Sequence, residues 1–363
     1  MKIVTIVGAR PQFVKAAAVS RVIREKHEEI LVHTGQHYDN NMSDVFFEEL
    51  HIPKPDVNLG VGSGTHARQT AEMMIGIEDV LLKEQPDYLM VYGDTNSTLA
   101  GAIAASKLHI PIIHVEAGLR SYNMRMPEEQ NRILTDRIST LLLCPTHVAV
   151  DNLKKEAIVD GVYNVGDVMC DAVLYYSKML DEKPADYYFS HLQGIYEDVE
   201  PVESWYLATV HRAENTDSIN KVSEVLSAFE QLDAPVIFPV HPRTKGLVSQ
   251  LREKHQYTNI IFVEPMGYLD MLFFVKHAKK AVTDSGGLQK ETYILDTPCV
   301  TVRDQTEWVE TLIGNHNILA KPNAEDIVNK VMNTVIDYDK KEAYYGTGHA
   351  AKKICELLET ESK

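Results

Sequence analysis

Apolar residues along this chain follow two patterns. Short runs that are apolar on both faces, too brief for helices, alternate with longer stretches whose apolar positions recur every three or four residues. The first eight residues read as a buried strand, followed by a Gly8-Ala9-Arg10-Pro11 turn and a helix over 11–26. Strands over 30–34, 88–92, 110–115 and 141–144 then alternate with helices over 65–83, 97–107, 128–140 and 146–156. Right-handed βαβ crossovers and a parallel sheet produce this alternation.

A second series starts near residue 206, with strands over 206–210, 236–240, 260–263, 280–283 and 299–302. Its helices fall over 218–231, 244–254, 268–276, 288–295 and 324–336. Between the two series the pattern weakens after Gly166. Residues 181–203 carry seven acids against one lysine, with Pro184 and Pro201 near the ends, and read as the junction between domains. The expected fold is α/β, with two doubly wound parallel-sheet Rossmann-like domains over 1–167 and 168–345, and a terminal helix in 346–363 that returns to the first. Open α/β sheets bind ligands beyond the carboxyl ends of their strands, so the cleft between the domains is the expected site.

Composition narrows the function classes. The chain has 363 residues, 44% of them hydrophobic, enough for two cores. Its 36 Lys plus Arg against 52 Asp plus Glu leave a net charge of −16, which argues against a surface that tracks nucleic acid. An anionic ligand must therefore be met by locally placed groups. Cys144, Cys170, Cys299 and Cys355 have no C-x-x-C spacing, so neither a zinc knuckle nor a dithiol pair is written here, and reduced thiols fit a cytoplasmic protein. No signal-peptide core opens the chain, and no uninterrupted stretch of about 18 apolar residues predicts a membrane span. Gly60-x-Gly62-x-Gly64 does not follow the first strand and so fails as a dinucleotide fingerprint. Asp337-Tyr338-Asp339 falls in a charged helical region and reads as solvated. No metal or other cofactor is demanded.

The informative residues are the polar ones immediately after the strands. In the first half these are Gly8-Ala9-Arg10-Pro11-Gln12 with Lys15 a turn later, Gly35-Gln36-His37, Gly93-Asp94-Thr95-Asn96 and Glu116-Ala117-Gly118-Leu119-Arg120. In the second they are His211-Arg212-Ala213-Glu214-Asn215, His241-Pro242-Arg243 and Asp284-Ser285-Gly286-Gly287. Taken singly each has a structural reading: Asp94 or Asp284 as a helix cap, His211 or His241 as a core histidine, Arg10 as half of a surface ion pair. Together, at matching ends of two sheets, they point to a site. Two glycines between a strand and a helix present N–H groups and a positive helix end, where a diphosphate fits. Glu291, a turn further on, is placed either to take ribose hydroxyls or to complement the helix dipole.

These clusters, with His114-Val115-Glu116-Ala117-Gly118-Leu119-Arg120 and Pro127-Glu128-Glu129-Gln130-Asn131-Arg132, resemble in order the non-hydrolysing UDP-N-acetylglucosamine 2-epimerases, from about residue 3 to residue 310. The resemblance implies a GT-B fold, a homodimer, and interconversion of UDP-GlcNAc with UDP-ManNAc without added metal or nicotinamide. Carried over by position, it implies catalytic roles for Asp94, Glu116, Glu128 and His211. It implies substrate or UDP contacts for Arg10, Lys15, Arg132, His241, Ser285, Gly286, Gly287 and Glu291. The chain departs from the family's common Gly-Thr-Arg-Pro-Glu opening with Gly8-Ala9-Arg10-Pro11-Gln12, and from Thr-Glu-Arg-Pro-Glu with Thr306-Glu307-Trp308-Val309-Glu310. Gln36-His37-Tyr38-Asp39-Asn40-Asn41-Met42 and Asn123-Met124-Arg125-Met126-Pro127 are similar to a subgroup containing UDP-2,3-diacetamido-2,3-dideoxyglucuronate 2-epimerases.

The chemistry implied is elimination. No carbonyl adjoins C2 of an N-acetylamino sugar, so direct deprotonation is slow. Loss of UDP from C1 with removal of the C2 proton gives a 2-acetamidoglucal, and re-addition with protonation on the other face gives the epimer. This needs carboxylates to move protons and cations or N–H groups to hold the departing diphosphate. A GT-B glycosyltransferase shares the fold, but its retaining members carry a Glu-x7-Glu motif, and Glu291 plus eight is Cys299. A hydrolysing epimerase differs in releasing UDP and free sugar, and a nucleotide-sugar sensor has no need of three carboxylates at strand ends.

Overall fold

A computed structural model describes residues 1–35, 47 and 50–361; the segment Gln36-His37-Tyr38-Asp39-Asn40-Asn41-Met42, which carries part of the subgroup resemblance, lies outside them. The chain forms two compact units, Met1–Ala172 with Ala343–Lys363, and Val173–Glu342.

The first unit is a wholly parallel seven-stranded sheet in the order β3-β2-β1-β4-β5-β6-β7. Its strands are β1 (Lys2–Val7), β2 (Glu28–His33), β3 (Val57–Asn58), β4 (Tyr88–Tyr92), β5 (Ile112–Val115), β6 (Leu141–Cys144) and β7 (Val162–Asn164). Helices α1 (Arg10–Ile23), α2 (His66–Glu84), α3 (Asn96–Lys107), α4 (Pro127–Ile138) and α5 (His147–Lys155) make the crossovers. The central strands read as unbroken apolar runs because both faces are covered, as parallel sheets require. Helix α3 lies close on the sheet because it is rich in small residues. A Cβ added at Gly101 would stand 3.2–3.4 Å from Val91, Ile6 and Leu89. The last helix, α14 (Ala350–Glu361), packs on α1 and starts where the Asp171 carboxylate accepts the N–H groups of Ala350 (3.0 Å) and Ala351 (2.8 Å).

The second unit repeats the plan with six parallel strands in the order β10-β9-β8-β11-β12-β13. These are β8 (Tyr206–Thr209), β9 (Val236–Pro239), β10 (Ile260–Val263), β11 (Ala281–Thr283), β12 (Cys299–Val302) and β13 (Asn317–Ala320). They alternate with α8 (Ala213–Thr216), α9 (Ile219–Glu230), α10 (Pro242–Arg252), α11 (Tyr268–Lys276), α12 (Gly286–Ile294) and α13 (Ala324–Asn333). The two α/β sheets are those the hydrophobic pattern predicts. Strands β3, β7 and β13 were not among the expected ones: β3 and β7 have two and three residues, too few to show a period, and β13 is an edge strand that opens on Asn317 and is only half-buried at Ile318 and Leu319.

The acidic stretch 181–203 is not a linker. The chain passes between units inside a helix, α6 (Val168–Leu180), and residues 181–203 belong to the second unit. There α7 (Ala185–Phe189) buries Tyr188 stacked on Phe273 (centroids 3.9 Å apart) and Phe189 edge-on to Trp205 and Phe274. Two buried aromatic rings outweigh the seven acids that suggested exposure. No helix among the described residues is long and apolar enough to cross a membrane.

One buried group makes this fold sensitive to acid. His33, at the end of β2 and edge-on to Phe13, has its pKa lowered by burial to about 4. The unfolded chain takes a proton near 6.5, whereas the folded ring refuses it until about pH 4. Stability is therefore complete above the unfolded value and falls as pH drops through this window, by about 3.4 kcal/mol in all. Urea midpoints measured at steps across that range should decline for the natural chain and decline less steeply for His33→Gln. Equal slopes would discard the assignment.

Candidate active site

In the first unit the residues expected to do chemistry gather at the carboxyl ends of β1, β4 and β5. Arg10 and Pro11 open α1, whose position is fixed by Gln12. The Gln12 Oε1 accepts the N–H groups of Gly8 (2.8 Å) and Ala9 (3.0 Å), and its Nε2 donates to the Tyr92 carbonyl (2.7 Å) and to the hydroxyls of Thr95 and Thr98 (3.0 Å each). A glutamate here has no N–H to donate, so the departure Gly-Ala-Arg-Pro-Gln is a different way of tying β1's turn to that of β4.

Lys15, one turn along α1, is buried and paired with the Glu116 carboxylate. Glu116 itself has φ +70°, a left-handed conformation unusual for a residue with a side chain. Its N–H and that of Ala117 both bond the Leu143 carbonyl, which holds the tight turn after β5. Gly93, φ +61°, provides the room: a Cβ there would stand 3.1 Å from Glu116 Oε2 and 3.6 Å from Lys15 Nζ.

Asp94 follows Gly93 and meets Arg132 of α4 at 2.6 Å. Burial pushes the Asp94 pKa above the ordinary aspartate value; the Arg132 cation pulls against this, and the Glu116 carboxylate adds to the rise. A carboxyl with its pKa raised in this way is a candidate for proton transfer. Arg132 also bonds Glu129 (2.7 Å), a buried acid that accepts the N–H groups of Ser121 and Tyr122 and so supports the left-handed Tyr122 (φ +59°). Glu128, its neighbour in the first turn of α4, is exposed. Adjacent acids thus have different tasks: Glu129 braces the Ser121–Tyr122 turn, and Glu128 is open to solvent at the helix start. The sequence reading missed the parts played by Gln12 and Glu129, because adjacent carboxyl or amide groups differ only in which way the helix turns them.

In the second unit the expected residues gather at the ends of β8, β9 and β11. Asp284, fully buried, accepts hydrogen bonds from the backbone N–H of His211 (3.1 Å) and Arg212 (2.9 Å) and from Asn215 Nδ2 (3.0 Å). It is the structural anchor of the His211 turn. The His211 ring lies against that of His241 (5.1 Å, 29°), and His241 Nδ1 caps α10 by accepting the Arg243 N–H. Burial lowers the pKa of both rings below the ordinary histidine value; Arg243 lowers both further, while the Asp284 carboxylate pulls the other way.

Ser285 caps α12, its Oγ accepting the Leu288 N–H, with Gly286 and Gly287 as the first helical residues and Glu291 buried a turn later. The two glycines differ. A Cβ on Gly286 would stand 2.5 Å from Glu307 Oε1, whereas one on Gly287 meets nothing nearer than the Ser285 hydroxyl at 4.0 Å. The Glu307 carboxylate is held by Arg303 (3.0 Å) with Arg212 at 3.9 Å. Gly286 is buried and Gly287 exposed, so the room beside the helix start lies on the Gly287 side. Trp308, at the subgroup departure, is buried beneath the Lys290 ammonium (3.9 Å). Asp337 is bound to Lys340 at 2.8 Å in a short 3-10 turn. Among the described residues no three His, Cys, Asp or Glu side chains form a metal cluster.

Comparison with known proteins shows the family and the fold. Residues 21–359 match the family described as UDP-N-acetylglucosamine 2-epimerase. A UDP-N-acetylglucosamine 2-epimerase homolog of Methanococcus maripaludis is 50% identical, with 99% of each chain covered. The UDP-2,3-diacetamido-2,3-dideoxy-D-glucuronate 2-epimerase of Pseudomonas aeruginosa is 46% identical, again with 99% of each covered. Among solved structures, the Methanocaldococcus jannaschii UDP-GlcNAc 2-epimerase in complex with UDP-GlcNAc and UDP superposes with a TM-score of 0.88 at 40% identity, over 99% of this chain and 100% of that one. The two parallel-sheet domains are of the GT-B class, and the chain belongs to the UDP-N-acetylglucosamine 2-epimerase family.

Proposed function

We propose that this chain is a non-hydrolysing nucleotide-sugar 2-epimerase that interconverts UDP-GlcNAc and UDP-ManNAc by elimination and re-addition of UDP. The observation that carries the reading is the Lys15–Glu116 and Arg132–Asp94 pairing: two carboxylates with opposed environments, one beside a buried ammonium and one with a raised pKa, at adjoining strand ends. In this reading Asp94 and Glu116 move the C2 proton, Glu128 faces the substrate from the start of α4, and His211 supports the departing diphosphate. Arg10, His241, Ser285, Gly287 and Glu291 bind the nucleotide, while Lys15, Arg132 and Gly286 set the geometry around them. The family resemblance carries with it a homodimer in the cytoplasm, supplying an N-acetylated amino sugar for cell-surface polysaccharide.

A second reading, epimerisation of UDP-2,3-diacetamido-2,3-dideoxyglucuronate, is favoured by the 46% identity to an enzyme named for that activity and by Trp308-Val309 at the departure from Thr-Glu-Arg-Pro-Glu. NMR of each nucleotide sugar incubated with pure protein in D2O decides between them. The true substrate should form its 2-epimer with deuterium at C2. A product that keeps its original proton excludes exchange with solvent, release of free sugar makes the enzyme hydrolytic, and no turnover of either sugar refutes the proposal.

A further inference from the structure

Behind the carboxylates lies a buried ionisable cluster that the proton-transfer scheme leaves unused. His114, the third residue of β5, is completely buried, and each ring nitrogen faces an acceptor: Nδ1 lies 2.7 Å from Asp136 Oδ1 and Nε2 lies 2.8 Å from the Gly93 carbonyl. A neutral imidazole has one N–H and satisfies one acceptor; only the imidazolium donates to both. The alternative of a protonated Asp136 is disfavoured, because its other oxygen accepts the Gly118 N–H (3.2 Å) and the Arg120 guanidinium (2.6 Å). Although burial pushes the Asp136 pKa up, those partners and His114 hold it below the ordinary value.

The charges balance. Around the pair, Asp136 also holds Arg120 from the turn after β5, Arg120 in turn holds Glu156 after α5 at 2.6 Å, and the Cys144 thiol of β6 feels the charges of Asp136 and Arg120. With His114 protonated two cations meet two carboxylates, the fully buried Asp136 and the partly exposed Glu156. Glu116 and Lys15, on the far side of the turn, form their own balanced pair.

We infer that His114 and Asp136 form a permanent imidazolium–carboxylate pair that positions the two carboxylate-bearing turns of the active site. The ring nitrogen fixes the Gly93 carbonyl, whose own N–H bonds Val115, and so sets the peptide that leads into Asp94. The same Asp136 carboxylate anchors Gly118 and Arg120, the far end of the turn that starts at Glu116. His114 acts on the carboxylate-bearing turns through the Gly93 carbonyl and Asp136. It is a positioning residue, and this role, though not its charge, rests on the epimerase reading.

The test uses the full chain labelled with 15N-histidine. Two-bond ¹H–¹⁵N spectra from about pH 6 to about pH 9 should show both His114 nitrogens protonated throughout, while exposed histidines lose one proton. The His114 signals are assigned by their disappearance in His114→Gln. In Asp136→Asn, which keeps the ring, one of those protons should be lost within the range. A single N–H on His114 in the natural chain overturns the charged pair, whatever the enzyme's activity. For position, His114→Gln should lower kcat about a hundredfold with KM changed less than about threefold. An unchanged kcat overturns the positioning role. If His114→Gln fails to fold, Asp136→Asn carries the same kinetic comparison. A natural chain that turns over neither nucleotide sugar refutes the epimerase reading and leaves the NMR result standing.

Discussion

Asp94→Asn and Glu116→Gln each lower epimerisation by about 10²–10⁴-fold, the range expected when a positioned proton-transfer group is removed. UDP binding stays within about tenfold in both, a change of ~1.4 kcal/mol or less. The two substitutions differ in their side effects. Asn at 94 keeps an oxygen for Arg132, which Glu129 also holds, so the fold is little disturbed. Gln at 116 leaves the buried Lys15 ammonium without its carboxylate, and removing one partner of a buried pair costs about 3–5 kcal/mol. Activity of Glu116→Gln must therefore be referred to the folded fraction, measured by circular dichroism on the same sample. Product NMR gives the rate and calorimetric titration with UDP gives the affinity. Full activity in either folded variant removes that carboxylate from the chemistry.

The second large effect is on stability. Asp284→Ala removes a fully buried carboxylate that gathers two backbone N–H groups and the Asn215 amide, and it leaves all three donors without their acceptor. Hydrogen bonds to charged groups contribute about 1.5–3 kcal/mol each, and a buried donor left unpaired adds its desolvation cost. A loss of about 4 kcal/mol or more is expected, read as a fall in the urea midpoint. Asp284→Asn keeps one acceptor and should lie between. Because the same bonds set the His211 turn, UDP affinity should fall along with stability in both variants. A midpoint equal to that of the natural chain would mean that the turn finds other partners and that Asp284 is not its anchor.

Much of this was legible in the sequence, but unevenly. The alternation of strands and helices survives in the structure nearly element for element, since a parallel sheet covered on both faces must be written as unbroken apolar runs. Its edges were not legible: Val57–Asn58 and Val162–Asn164 are too short for any period to show. Residues 181–203 misled for a different reason. Charge was weighed there, while the energetics lie in Tyr188 and Phe189.

At the site, local chemistry along the chain determined which residue types stand at the strand ends: Arg10, Lys15, Asp94, Glu116, Glu128, His211, His241 and the Ser285-Gly286-Gly287 helix start. Position along the chain fixes that much because each strand must end where its apolar run ends. It does not determine who meets whom. Lys15 and Glu116 are 101 residues apart and Asp94 and Arg132 are 38 apart. Those pairings, the buried Glu129 beside the exposed Glu128, the carboxylate of Glu307 at Gly286 and the anchoring of the His211 turn by Asp284 arise from packing between distant elements. A buried charge has few tolerable partners, and only the folded chain brings them within reach.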